Sequence, residues 1–315
     1  MIRTASPQIE LRRLHRVFEQ THAVNDVSFE VCAGEVFGYI GPNGAGKTTS
    51  MRILATLDEP TAGDAFVDGF SVVEDPDRVR RRLGFMPDYF GTYQNVSVLE
   101  YLDFFARAYG LVGRERINAI GDVMEFTQLR TLAYKPIDGL SKGMKQRLCL
   151  GRTMIHNPSV LILDEPAAGL DPRARIELRD MIARLADAGK AILISSHILT
   201  ELAEISDRVG ILEQGRLLAV GSVAEISAGV QSRSTVRIRV LRDGEKLRGW
   251  LAARGDIEEL QVEGDLATFS HAGDRESEAS LLKAMVEAGF AIVEFGAKQK
   301  SLEDVFLHVT EGRVQ

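Results

Sequence analysis

Cysteine and tryptophan are both scarce in these 315 residues, and positive charge falls short of negative. The two cysteines, Cys32 and Cys149, stand alone among apolar neighbours, offer no metal-ligand spacing and suit a reducing compartment. Both read as buried structural thiols. Lysine and arginine number 38 against 45 acidic residues, a formal net charge of −7, so the electrostatic footprint of a nucleic-acid binder is missing and no nucleic-acid partner is expected. No apolar run approaches the ~18 residues of a spanning helix, and the N-terminal MIRTASPQIELRRL carries no signal core. The chain is therefore expected to be soluble and cytoplasmic, reaching any membrane through a partner. With 45% apolar and 26% charged residues it has an ordinary globular composition, and its length suits one large domain and a smaller one.

What the chain has is a glycine loop. GPNGAGKTT (Gly41, Pro42, Asn43, Gly44, Ala45, Gly46, Lys47, Thr48, Thr49) matches G-x-x-x-x-G-K-[ST]. It lies between the apolar run Val36 to Ile40, a strand, and a helical stretch from Lys47 to Leu57. Glycines let backbone N–H groups turn toward a polyphosphate, the helix N-terminus adds partial positive charge, and Lys47 adds a full one. The Thr48 hydroxyl would complete a magnesium shell. A glycine-rich turn with an incidental lysine is the alternative, and the strand before and helix after argue against it.

Upstream, Ile9 to Leu14 and Asn25 to Val31 read as strands, the second placing Val27, Phe29 and Val31 inward. Phe18 lies between them and can either stack on a base or belong to the core. Asp68-Gly69 signals a hairpin. Asn95 to Gly110 repeats apolar residues at helical spacing, Arg114 to Leu129 is a second helix, and Ser141 caps a third that Asn157-Pro158 ends. The apolar strand Val160 to Leu163 delivers Asp164 and Glu165 at its carboxyl end, where ligands sit in a parallel α/β sheet. One such carboxylate can hold Mg²⁺ and the next can polarise an attacking water; a surface acidic pair is the bland reading. A second buried strand, Ala191 to Ile194, ends in Ser195-Ser196-His197; a lone histidine is usually structural, yet this one stands where a γ-phosphate could be touched.

In this order the motifs resemble the ATP-binding cassette family, the motor subunits of ABC transporters, over about residues 7 to 225. The set is Phe18, the loop at 41 to 49, LSKGM at 140 to 144, ILDEP at 162 to 166, GLDP at 169 to 172 and His197. The resemblance implies an α/β P-loop NTPase cassette, with a parallel core sheet, an antiparallel β edge and a helical subdomain at about 92–157, within a nucleotide-binding domain of residues 1–229. It implies ATP and Mg²⁺ as ligands. Phe18 would stack on adenine, Lys47 bind the β- and γ-phosphates, Thr48 and Asp164 position the metal, Glu165 act as general base or water orienter, and His197 contact the γ-phosphate. Two cassettes, a homodimer or a heterodimer with a related one, would close head to tail on ATP. Ser141, Lys142 and Gly143 would then complete the partner's site, and Asp171 would bridge the two. Lys142 and Met144 depart from the usual signature, and Asp88 stands where a metal-touching glutamine is usual, so Asp88 joins the candidate metal shell.

Residues 230–315 alternate Val236, Ile238 and Val240 with Arg237 and Arg239, and the order βαββαβ predicts a small ferredoxin-like α+β domain. The closing SLEDVFLHVT, Ser301 to Thr310, resembles the tail of cassettes that pair with separately encoded ABC-2 type exporter permeases. Function is thus expected to be the ATPase of an exporter, peripheral on the inner face of the cell membrane, its coupling groove between the Asp88 loop and the helix from Asn95. The rivals are a soluble ABC ATPase clamping ribosome or DNA, and a P-loop kinase or GTPase. The first lacks a second cassette, a coiled-coil insertion and basic charge here; the second lacks N-K-x-D and leaves LSKGM unexplained.

Overall fold

The computed structural model describes residues 6–89, 91, 95–196, 199–222, 224–226, 233–273 and 275–298. They fall into two units, the first ending at Ser222 and the second lying within Val223–Glu311. The expected boundary between 229 and 230 falls outside the described residues, as do His197 and the segment from Ser301 to Thr310.

In the first unit, β1 (Ile9–Phe18) and β2 (Thr21–Val31) form a hairpin. The strand β1 runs past the Leu14 expected from the sequence. Its apolar alternation breaks at Arg12 and Arg13, where Arg13 takes φ 44 and the register shifts between Leu11 and Leu14, so the pairing resumes without a period-two signal. As expected, Val27, Phe29 and Val31 are buried. The chain then enters β3 (Val36–Ile40), all five residues of which are buried, and the helix α1 (Lys47–Leu54). With β4 (Ala62–Val67) and β5 (Phe70–Ser71) the hairpin makes an antiparallel sheet, β2-β1-β4-β5. Asp68 and Gly69, at φ 49 and 78, supply the two left-handed residues of the tight turn.

A short helix, α2 (Pro76–Arg80), precedes β6 (Leu83–Met86). Helices α3 (Val98–Ala108), α4 (Gly113–Phe126) and α5 (Lys142–Met154) then pack around their own core of Tyr101, Leu102, Val123 and Leu148. A capping box starts α3: Glu100 N–H donates to Ser97 Oγ at 3.3 Å, and Ser97 N–H donates to Glu100 Oε2 at 2.8 Å. The chain returns through β7 (Val160–Leu163), α6 (Pro172–Asp187), β8 (Ala191–Ser196), α7 (Leu199–Ile205), β9 (Arg208–Glu213) and β10 (Arg216–Gly221). The second sheet has the order β10-β9-β3-β8-β7-β6, parallel from β9 to β6 with β10 antiparallel at the edge. Phe29 of the first sheet stacks on Phe37 of the second, centroids 4.7 Å and planes 4° apart, inside the shared core.

The second unit contains β11 (Arg233–Val240), α8 (Gly244–Ala252), β12 (Ile257–Glu263), β13 (Leu266–Ala272), α9 (Arg275–Glu287) and β14 (Ile292–Lys298). Its antiparallel order β12-β13-β11-β14 is the ferredoxin-like arrangement that the sequence pattern predicts. Val236, Ile238, Val240, Leu247, Leu251 and Phe269 form the core, and Arg237 and Arg239 face Glu294 on the open side at 3.7 and 3.3 Å. Of the two thiols, Cys149 is buried, which pushes its pKa up to about 11, whereas Cys32 is half-buried, so the buried reading fails there: it lies one residue beyond β2, beside the Ala33-Gly34 turn.

Candidate functional site

Register in the parallel sheet gathers the site. Met86 pairs with Leu163, Leu163 with Ile194, and Tyr39 with Ser195, so the segments that follow β3, β6 and β7 leave the same carboxyl edge. The loop after β3 needs glycine at Gly46, which has φ 101; a Cβ there would stand 2.1 Å from the Ala23 carbonyl oxygen. Gly46 then caps α1, and the N–H groups of that first turn remain available to an anion.

Lys47 is buried and donates from Nζ to the carbonyls of Gly41 at 2.6 Å and Pro42 at 3.1 Å. Burial lowers its pKa, and the nearby carboxylates of Glu165 and Asp164 oppose that shift. Thr48 Oγ1 donates to Asp164 Oδ2 at 2.9 Å. Asp164 is 1% exposed; burial raises its pKa, hydrogen bonds from Ser195 and Thr48 oppose the rise, and the charges of Asp88 and Glu165 add to it. Glu165 has φ 48, an uncommon backbone for a non-glycine residue and a form of strain that collects at functional sites.

A cavity of about 210 Å³ is lined by Ala23, the loop from Asn43 to Thr49, Asp88 and Glu165. It unites the loop, Glu165 and the Asp88 position, which come from three separate parts of the sequence, while Asp164 does not line it and joins through its hydrogen bond from Thr48. The paired Thr48 hydroxyl and Asp164 carboxylate are hard oxygen donors beside a phosphate cradle, a donor set that fits Mg²⁺. Among the described residues no three His, Cys, Asp or Glu side chains converge as a protein-only metal cage.

Phe18 is 43% exposed rather than core, and the Arg16 guanidinium lies 4.4 Å from its ring centroid while pairing with Asp58 at 2.7 Å. Ser141 caps α5, accepting from Met144 N–H at 3.3 Å, and Asp171 caps α6, accepting from Ala174 N–H at 2.9 Å. Ser141, Lys142, Gly143 and Asp171 do not line the cavity of their own chain, and neither does Phe18. Sequence reasoning missed Ser195, Gln146 and Arg16. The signals available were a hydroxyl pair closing a buried strand, a glutamine one turn past a helix cap, and an arginine two residues before the aromatic.

The family model for ABC transporters matches residues 24–168, which hold the loop and both carboxylates. An uncharacterized ABC transporter ATP-binding protein of Bacillus subtilis is 34% identical over 96% of this chain and 99% of its own. The chain belongs to the ABC transporter family of ATP-binding proteins. As a member, this ABC protein is an ATPase. The Nod factor export ATP-binding protein I of Burkholderia thailandensis is 33% identical over 98% of both chains, and the bacitracin transport ATP-binding protein of Bacillus licheniformis is 33% identical over 96% of this chain and 97% of its own. Such names agree with the exporter class expected from the sequence. A solved ATP-binding subunit of an ABC transporter superposes with a TM-score of 0.65 at 30% identity, covering 71% of this ABC chain and 93% of its own. Among the described residues no helix is long and apolar enough to cross a membrane.

Proposed function

We propose that this ABC ATPase powers an exporter whose membrane path is a separate ABC-2 type permease, and that it works at the inner membrane face as a cassette dimer closed by ATP. The observation that carries the reading is the convergence of Lys47, Thr48, Asp164 and Glu165 on one phosphate cradle.

Lys47 would move from the Gly41 and Pro42 carbonyls to the β- and γ-phosphates, exchanging neutral acceptors for charged ones. The first turn of α1 would hold the remaining phosphate oxygens through backbone N–H groups, and Phe18 would offer its exposed ring face to adenine. Thr48 and Asp164, with Asp88 nearby, would hold a Mg²⁺ ion, whose charge would offset that of the phosphates. Glu165 would orient the attacking water, His197 would contact the γ-phosphate, and Ser141, Lys142 and Gly143 would reach it from a second copy, the capped α5 N-terminus being an anion binder. Asp171 would meet the same interface.

The test is paired. Lys47→Ala should abolish ATP turnover by the purified chain, and Glu165→Gln should bind Mg²⁺-ATP and accumulate as a dimer on a sizing column. Undiminished turnover in the first variant, or a monomer at saturating ATP in the second, refutes the site or the dimer respectively.

A further inference from the structure

Ser195 closes β8 and is fully buried. The parallel register that pairs Leu163 with Ile194 sets it beside Asp164. Its hydroxyl donates to Asp164 Oδ1 at 2.6 Å and accepts from the backbone N–H of Glu165 at 2.9 Å. One hydroxyl thus spends its proton on the candidate metal-binding carboxylate and a lone pair on the peptide that carries the candidate base.

That peptide is the strained one, with Glu165 at φ 48. On its far side the Pro166 carbonyl accepts from the buried Gln146 Nε2 at 2.8 Å, so the turn is held from β8 and from α5. Thr48 takes the other oxygen of Asp164, leaving Oδ1 to Ser195. Ser195 does not line the cavity bounded by the phosphate loop, so whatever it does there passes through Asp164 and Glu165.

We propose that Ser195 is a positioning residue for ATP hydrolysis, fixing the Asp164 carboxylate for Mg²⁺ and the Glu165 backbone for the attacking water with a single buried hydroxyl. The inference rests on the ATPase reading. It predicts a split: the groups that hold nucleotide stay in place while the hydrolytic geometry loosens. It also separates the hydroxyl from the volume of the side chain, because threonine keeps the hydroxyl while adding a methyl group, and Ser195 borders an apolar cavity of about 240 Å³.

The experiment compares the full-length wild type with Ser195→Ala and Ser195→Thr. In the alanine variant, kcat should fall about 10-fold or more, the size usual for losing a partner of a metal ligand, with KM for ATP within about twofold. Binding of Mn²⁺ beside a non-hydrolysable ATP analogue, followed by electron paramagnetic resonance, should weaken in the same variant. The threonine variant should restore both. Should the alanine protein fail to fold by circular dichroism, Ser195→Cys, a weak donor of similar size, takes its place with the same expectations. A kcat within twofold of wild type overturns the proposal, as does a threonine variant no better than alanine. If wild type turns over no more ATP than Lys47→Ala, the ATPase reading falls instead, while the Mn²⁺ titration still judges Ser195.

Discussion

Acid should destabilise the first unit through His156. Its ring is largely buried, stacks on Tyr109 at 3.7 Å and 8°, and contacts the Leu83 carbonyl through Nε2 at 3.2 Å. The neutral ring donates there, which leaves Nδ1 buried with no hydrogen-bond partner among the described residues. A second proton would have to sit on that nitrogen. Burial accordingly pushes the His156 pKa down to about 4, Lys190 contributing in the same direction and the Leu83 carbonyl opposing it. Below pH 6.5 the unfolded imidazole gains a proton that the folded one does not, so stability falls as pH falls, and the fall ends once pH passes the folded value near 4. The loss is about 2 kcal/mol at pH 5 and about 3 kcal/mol at pH 4. Asp164, with its pKa raised by burial, works in the opposite sense at the acid end, so the comparison must be made against His156→Gln at each pH. Urea unfolding followed by far-ultraviolet circular dichroism supplies the stabilities. Trp250, the single tryptophan, lies in the second unit, and its fluorescence serves as a control that should not follow His156. Parallel pH profiles for wild type and His156→Gln between pH 7 and 5 would refute the reasoning, as would a ring that titrates near 6.5 by nuclear magnetic resonance.

Two further outcomes concern nucleotide. Asp88 lines the loop cavity and its charge acts on Asp164, so Asp88→Asn should tighten metal-free ATP by roughly fivefold, about 1 kcal/mol of relieved repulsion, while Mg²⁺-ATP changes less. Titration of a fluorescent ATP analogue with and without chelator reads the difference, and equal effects in both would remove Asp88 from the metal's surroundings. Phe18→Ala should cost ATP about 1–3 kcal/mol of binding and leave inorganic tripolyphosphate unchanged in competition, with Arg16→Ala showing a smaller loss of the same kind. A variant that weakens both ligands alike would mean that Phe18 does not stack on the base.

The ligand-facing part of this site was legible because each piece is local. A buried strand, a glycine loop and a helix start follow one another from Val36 to Leu54, and four apolar residues in a row identify β7 and therefore the end at which Asp164 emerges. The ferredoxin-like order was legible for the same reason, since alternation and turns lie within single segments. The extension of β1 to Phe18 was not, because the bulge at Arg13 erases the alternation that would have announced it.

The supporting residues escaped for a different physical reason. Ser195 matters only because Leu163 pairs with Ile194; a one-residue slip of that parallel register would place another residue opposite Asp164. Gln146 acquires its role by reaching Pro166, 20 residues away, and His156 by contacting Leu83, 73 residues away. Their side-chain types carry no trace of those partners. Groups that must touch a phosphate or metal are constrained in chemistry and in spacing, so they leave a pattern in the chain. Groups that hold them in place are constrained by where two elements meet, and any residue able to donate or accept at that point would serve. Ser195 and Gln146 therefore become visible once the strands are in register, their hydrogen bonds flanking Glu165, whose backbone takes a conformation that non-glycine residues seldom adopt.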